Sequence, residues 1–215
     1  MNQTHTLTRL SQEDSGDTLF PMGSDGELHR KQCKRWDVPY DAHYLTFSCY
    51  RRQPFFRSTR TCRWFLEFLD AARDRHAFHV WAWVLMPEHV HLLIWVPNET
   101  PIRAILKSIK FPMARHAILW AKQNAPRRMG ALELHGEEGV LGYRFWQRGG
   151  GYDRNLRSPH DVHEKIRYIH ENPVRRRLVE RIEDWSWSSW RAFTAAVNVP
   201  LRIDRESIPT VVNFD

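Results

Sequence analysis

Two histidines one residue apart, His89-Val90-His91, open an apolar run, and Tyr168 and Asn172 stand four apart in a second apolar-periodic stretch. Alternation along a strand puts His89, His91, Leu93 and Trp95 on one face and Val90, Leu92, Ile94 and Val96 on the other. Two neutral imidazoles on one face can hold a divalent cation between them. The competing reading is one hydrogen-bonded core histidine and one histidine at the sheet rim. The short pattern alone does not choose between them. In both readings the buried imidazoles need polar partners.

Val162, Ile166 and Ile169 recur at helical core spacing, and Tyr168 and Asn172 project from one side, beside that stripe. An amide oxygen at Asn172 could complete a metal shell, and a phenol one turn earlier would face whatever the metal polarises. That arrangement suits nucleophilic attack on phosphorus with a covalent intermediate. A free phenol titrates near ~10, so it needs help from a metal or from nearby cations. The alternative is a half-buried tyrosine and a helix-capping asparagine before Pro173.

The net charge of +7 and pI near 9.6 favour an acidic partner, nucleic acid or an anionic membrane surface. No apolar run is long enough to span a bilayer and the polar N-terminus lacks a signal-peptide core, which disfavours the membrane. Cys33, Cys49 and Cys62 follow no metal-like spacing and read as reduced residues of a cytoplasmic protein. Arg175, Arg176 and Arg177 follow the tyrosine stretch and, with Arg51, Arg52, Lys107 and Lys110, are candidate DNA-binding residues. Arg127 and Arg128 add to the basic surface. The Trp185-Ser186-Trp187-Ser188-Ser189-Trp190 cluster could stack bases, but packing is the expected role for most of it.

These residues need elements to position them. Strands are expected over Tyr44–Tyr50, Phe78–Met86 and Val90–Val96, the last two as a hairpin or adjacent pair buried on both faces. A helix is expected over Thr61–Arg75. A second is expected from Thr100-Pro101, kinked or interrupted at Pro112, before Met113–Lys122. Residues 124–142 read as a long loop, Tyr143–Gln147 as a further strand and Gly149–Gly151 as a flexible break. Ser158-Pro159 opens a helix that Pro173 stops. The order β-α-β-β-α-β-α predicts an α+β domain, one antiparallel sheet with packed helices. Residues 1–40 read as a flexible lead-in, 41–195 as the domain and 196–215 as a tail.

Three segments in this order, Val84–Leu93 with its His-Val-His, Phe145-Trp146-Gln147, and Tyr168–Val174 followed by Leu178-Val179 and Asp184–Ser189, together resemble the single-tyrosine HUH transposases. The likeness is to their REP-associated branch in particular. The resemblance covers roughly Tyr44 to Phe193. It implies a ferredoxin-like or RRM-like sheet, and Mg²⁺ or Mn²⁺ held by His89, His91 and Asn172. It also implies that Tyr168 attacks single-stranded DNA, folded as hairpins from palindromic repeats, through a 5′-phosphotyrosine link. Arg177 departs from the pattern, standing where the family usually has a small residue, often Gly. Residues 1–40 and 124–142 have no clear counterpart, and monomer and homodimer both stay open. The competing functions are a non-catalytic nucleic-acid-binding module, a hydrolytic metal-dependent nuclease and a replication initiator or relaxase. Pure binding would need none of the histidine–tyrosine–asparagine set.

Overall fold

The computed structural model describes residues 40–136, 139–149, 151–194 and 199–211. The proposed lead-in, apart from Tyr40, and Cys33 lie outside them. Strand β1 (Ala42–Ser48) leads through two short 3-10 turns to helix α1 (Thr59–His76). Strands β2 (His79–Met86) and β3 (His89–Trp95) then form a hairpin across Pro87-Glu88. Helix α2 (Ile102–Asn124) follows, then a small hairpin of β4 (Glu133–Gly136) and β5 (Gly139–Tyr143). Strand β6 (Tyr152–Leu156) and helix α3 (Pro159–Arg175) come next, and a short helix α4 (Trp190–Phe193) lies in the tail.

The main sheet has the order β2-β3-β1-β6 with every neighbour antiparallel, the ferredoxin-like α+β arrangement. Alternation divides its side chains as the sequence predicts. Val90, Leu92, Ile94 and Val96 join Leu45 and Phe47 in the core beneath α1 and α2. Leu93 and Trp95 join Tyr44, Val84 and Met86 against Val162, Ile166 and Ile169 of α3. Helices thus cover both faces, which is why β2 and β3 read as near-continuous apolar runs.

Several elements depart from expectation. Helix α2 begins after Pro101 without a side-chain cap and runs through Pro112 as one helix. An internal proline costs roughly 3 kcal/mol. Here Ile105, Ile109, Met113 and Ala117 form one buried stripe on both sides of it, and their burial offsets that cost. Helix α3 likewise continues two residues past Pro173 to Arg175; the proline, in the last turn, is itself buried. The expected 124–142 loop holds a 3-10 turn (Pro126–Leu132) and the β4–β5 hairpin.

The fourth sheet strand is not Tyr143–Gln147, where Trp146 makes only an isolated bridge to Cys49, but β6. Its sequence, Tyr-Asp-Arg-Asn-Leu, is polar because it is an edge strand with alternate residues exposed. The glycines before it are not simply a break. Gly151 has φ +79°, and a Cβ there would stand 2.1 Å from the Thr46 carbonyl oxygen, so only glycine brings the chain this close to β1.

The tail closes the opposite edge. Leu85 N–H donates to the Trp187 carbonyl (2.9 Å), Ser189 N–H to the Trp83 carbonyl (2.9 Å) and Trp185 Nε1 to the Leu85 carbonyl (3.1 Å). An edge strand is covered rather than left open, and the tryptophan cluster packs. His170 of α3 is buried against the rings of Trp190 and Phe193, with Nε2 2.8 Å from Ser189 Oγ. The same Oγ accepts the Trp83 N–H at 2.9 Å, so one hydroxyl joins α3, the tail and β2. Burial pushes the His170 imidazole down to about 4.

Two outcomes follow from this packing. Gly151→Ala lowers stability by about 2 kcal/mol or more, read as the urea midpoint, because it adds both left-handed strain and a backbone clash. His170 is neutral when folded and binds a proton near ~6.5 when unfolded. Its stabilisation is therefore complete above that value and is lost as pH falls toward 4. Stability drops by about 2 kcal/mol between pH 7 and pH 5 on this account, and the drop shrinks in His170→Asn.

Candidate active site

The hairpin turn delivers His89 as the first residue of β3, and the pleat returns His91 to the same face. Both are buried, and their Nε2 atoms lie 2.9 Å apart. The β1–β3 register sets Thr46 opposite His91. His91 Nδ1 is consequently 2.6 Å from the Tyr44 hydroxyl and 2.9 Å from Thr46 Oγ1. His89 Nδ1 lies 3.2 Å from Glu88 Oε1. The outer nitrogens thus face oxygens and the inner nitrogens face each other.

Burial, then the neighbouring His89, drives the His91 imidazole well below its ordinary range. A neutral imidazole that donates Nδ1–H to oxygen presents its Nε2 lone pair, the form that ligates a cation. Asn172 adds an amide. Its Nδ2 donates to the Tyr168 carbonyl at 2.8 Å, and its side chain partly offsets the fall of the His91 imidazole. Among the described residues no three His, Cys, Asp or Glu side chains cluster.

Tyr168, partly buried on α3, meets His91 edge-on with ring centroids 6.0 Å apart. Lys165 Nζ lies 4.6 Å from the Tyr168 ring centre and the Arg175 guanidinium 5.1 Å from it. Two cationic side chains thus lie over the phenol ring.

Glu88 was not foreseen. Its Oε1 accepts from Arg52 (3.1 Å) and Arg176 (3.0 Å) while serving His89, so one oxygen gathers three chain segments. Burial raises this carboxyl, but the hydrogen bond and charge of His89, with Arg176, hold it well below the usual carboxylate range. Its position next to His89 was the only sequence signal. Tyr44 and Thr46 gave none, since their role depends on cross-strand register.

A family model described as "Transposase IS200 like" matches residues 38–172, from just before β1 to Asn172. The chain belongs to that family. It is 27% identical over 128 residues to a Haemophilus influenzae protein described as a REP-associated tyrosine transposase, covering 58% of this chain and 67% of that one. It is 25% identical over 134 residues to a REP-associated tyrosine transposase of Escherichia coli K12, covering 62% and 66%. A solved REP-associated tyrosine transposase bound to a REP hairpin superposes with a TM-score of 0.58 at 17% identity, covering 84% of this chain and 98% of that one. That likeness is one of fold.

In this IS200-like transposase the basic residues divide. Arg52, Arg175 and Arg176 stand at the histidine–tyrosine site, as described. Arg51, with φ 50°, stacks on the Tyr50 ring beside the first turn. Lys107 and Lys110 are on α2, beneath the opposite face of the sheet. There Lys110 Nζ donates to the Gly149 carbonyl and lies over Phe47 and Trp146. The structure does not bring these two lysines to the site.

Arg177 is exposed just past α3 with φ 56°, the left-handed conformation that glycine adopts without penalty. The backbone turn at this position thus favours glycine over arginine. Arg177→Gly raises stability by about 1 kcal/mol in urea denaturation; no gain would mean that the arginine side chain offsets the strain through contacts of its own.

Proposed function

We propose that this transposase binds single-stranded DNA hairpins formed by palindromic repeats, and cuts and rejoins strands through Tyr168. The observation that carries the reading is the edge-on placement of Tyr168 against His91 of the histidine pair. The donor set fits a resident cation. Two imidazole nitrogens converge, their outer nitrogens are held by oxygens, and an amide stands beside them. His89, His91 and Asn172 would hold Mg²⁺ or Mn²⁺, which when bound withdraws charge from a scissile phosphodiester.

The protein's own groups do the rest. The Tyr168 oxygen attacks phosphorus and gives up its proton to solvent, which returns one to the leaving 3′ oxygen, while Lys165 and Arg175 lie over its ring. A tyrosine–phosphorus bond forms to the 5′ side, the bond to the 3′ oxygen breaks, and that oxygen leaves as a 3′-hydroxyl. Attack by a 3′-hydroxyl on the phosphotyrosine reverses the step without ATP. Arg52, Arg175 and Arg176 bind phosphates at the site, with Arg51 and Arg177 on its flanks. Lys107 and Lys110 would contact DNA only if it extends around to α2. No helix among the described residues is long and apolar enough to cross a membrane, and we place the protein in the cytoplasm with DNA.

The test is denaturing electrophoresis of end-labelled hairpin DNA incubated with the protein and Mg²⁺ or Mn²⁺. A covalent adduct forms with the parent, is lost in Tyr168→Phe with hairpin affinity retained, and is lost on adding EDTA or in His89→Ala. Cleavage of equal rate in parent and Tyr168→Phe would make the protein a hydrolytic nuclease. Binding with neither cleavage nor adduct would make it a binding module. Hairpin affinity also falls steeply with salt through counterion release; a flat response would remove the basic surface as the DNA face.

A further inference from the structure

We infer that Arg51 and Arg144, both over the Tyr50 ring, open a phosphate-binding track that leads away from the histidine–tyrosine site past Lys122 to Arg127 and Arg128. This track holds the duplex stem of the DNA hairpin. The inference rests on the reading of a DNA hairpin as substrate.

The track starts in a strained turn. Arg51 and Arg52 both have left-handed φ, 50° and 52°, a conformation that costs a non-glycine residue on the order of 1 kcal/mol or more. Hydrogen bonds hold the turn in place. Arg52 N–H donates to the Cys49 carbonyl (3.0 Å), Gln53 N–H to the Tyr50 carbonyl (3.0 Å) and Arg51 N–H to Gln147 Oε1 (3.1 Å). The two side chains part here. Arg52 goes to Glu88 at the site, and the Arg51 guanidinium lies 5.1 Å from the centre of the buried Tyr50 ring. Glycine would take this turn without strain but would supply no charge.

The Phe145-Trp146-Gln147 segment brings a second guanidinium to the same ring. Phe145 and Trp146 are buried against Phe56, the Phe145 carbonyl accepts the Tyr50 N–H (2.8 Å), and Gln147 N–H donates to the Ser48 carbonyl (2.9 Å). Arg144, next to that segment, is thereby held with its guanidinium 5.7 Å from the Tyr50 ring centre. Its own N–H donates to the Leu132 carbonyl (2.6 Å), at the end of the 3-10 turn on which Arg127 and Arg128 are exposed. Tyr143, the residue before it, lies under Lys122 of α2, with Nζ 4.6 Å from the ring centre. Cations thus follow one another from the turn beside Glu88 to the end of α2.

These side chains have rings rather than acids for partners. Among the described residues none of Arg51, Lys122, Arg127, Arg128 and Arg144 forms an ion pair, and Glu133, which follows the 3-10 turn, is 3.3 Å from His135 Nε2. Cations gathered without carboxylates between them repel one another, and a bound phosphate relieves that repulsion. The track offers no open ring for a base. Tyr50, Phe145 and Trp146 are buried, and Tyr143 carries Lys122 over its ring. Unpaired strands are held in large part by stacking bases on aromatic faces, whereas a duplex keeps its bases stacked on each other and presents phosphates. Beyond the 3-10 turn the sequence becomes acidic at Glu137-Glu138, whose charge would repel phosphates, so the track stops there.

The test measures DNA affinity against salt concentration in EDTA, which separates binding from strand cutting. The parent, Arg144→Gln and the double variant Arg127→Gln/Arg128→Gln are compared on two DNAs. One is hairpin DNA from the palindromes flanking the protein's own gene, and the other is a strand of equal length whose stem halves cannot pair. By counterion release, Arg144→Gln weakens hairpin binding about fivefold at about 0.1 M salt and lowers the salt slope by about 1. The double variant weakens it about twentyfold and lowers the slope by about 2. Affinity for the unpaired strand stays within about twofold of the parent, because the track contacts the stem.

Hairpin affinity within about twofold of the parent in either variant overturns the inference, and so does a loss with the salt slope unchanged. Equal losses on both DNAs overturn the stem as the ligand of the track. If Arg144→Gln does not fold, the double variant, confined to exposed side chains of the 3-10 turn, decides alone. A parent that binds the hairpin no better than the unpaired strand refutes the hairpin reading, and this inference with it. A parent that prefers the hairpin, with variants that match it, refutes this inference alone.

Discussion

Burying two imidazoles side by side at the mouth of β3 is the constraint around which the rest of the domain is arranged. Unpaired, each would destabilise the fold by about 1–3 kcal/mol, and protonated, each would be repelled by the other. Both problems are met by oxygens at the outer nitrogens, Glu88 for His89 and Tyr44 with Thr46 for His91. The first comes from the hairpin turn itself. The second depends on β1 lying antiparallel to β3 in the register that sets Thr46 opposite His91. A one-residue slip would turn both hydroxyls to the α1–α2 face and leave His91 with Leu45 and Phe47 for neighbours.

That register is itself secured from two sides. Gly151 lets β6 enter against the Thr46 carbonyl at a distance no side chain permits, and β6 then pairs along β1 from Thr46 back to Ala42. On the far edge, the tail occupies the open hydrogen-bonding groups of β2, so the hairpin that carries the histidines cannot slide. His170 ties that same tail to α3 through Ser189, two residues from Tyr168. The helix bearing the tyrosine and the strand bearing the histidines are thus fastened through a third segment as well as by direct packing.

Charge is distributed to match. Glu88, a buried anion, holds two guanidinium groups and one imidazole at a single oxygen. Arg52 and Arg176 remain about half exposed. They are anchored at their inner side and open at their outer one, the disposition a phosphate-binding rim requires. Lys165 and Arg175 flank the phenol from within α3. The α1–α2 layer contributes its core to the opposite face, and its lysines on α2 stand apart from this cluster.

Local periodicity sufficed for the apolar strands, the long helices, the shared face of His89 and His91, and the one-turn spacing of Tyr168 and Asn172, because alternation and helical repeat are properties of the chain alone. It failed where an element owes its form to a neighbour. Strand β6 is polar and exists because β1 accepts its pairing; α2 passes Pro112 because a buried stripe holds both halves. Gly151 is a close approach whose other party, Thr46, lies far off in sequence. The site divides in the same way. Residue type and spacing marked the histidines, the tyrosine and the asparagine, whereas Glu88, Tyr44, Thr46 and Lys165 became site residues only through register and packing. Hydrogen-bond partners across strands are set by three-dimensional registration, which no window of sequence contains.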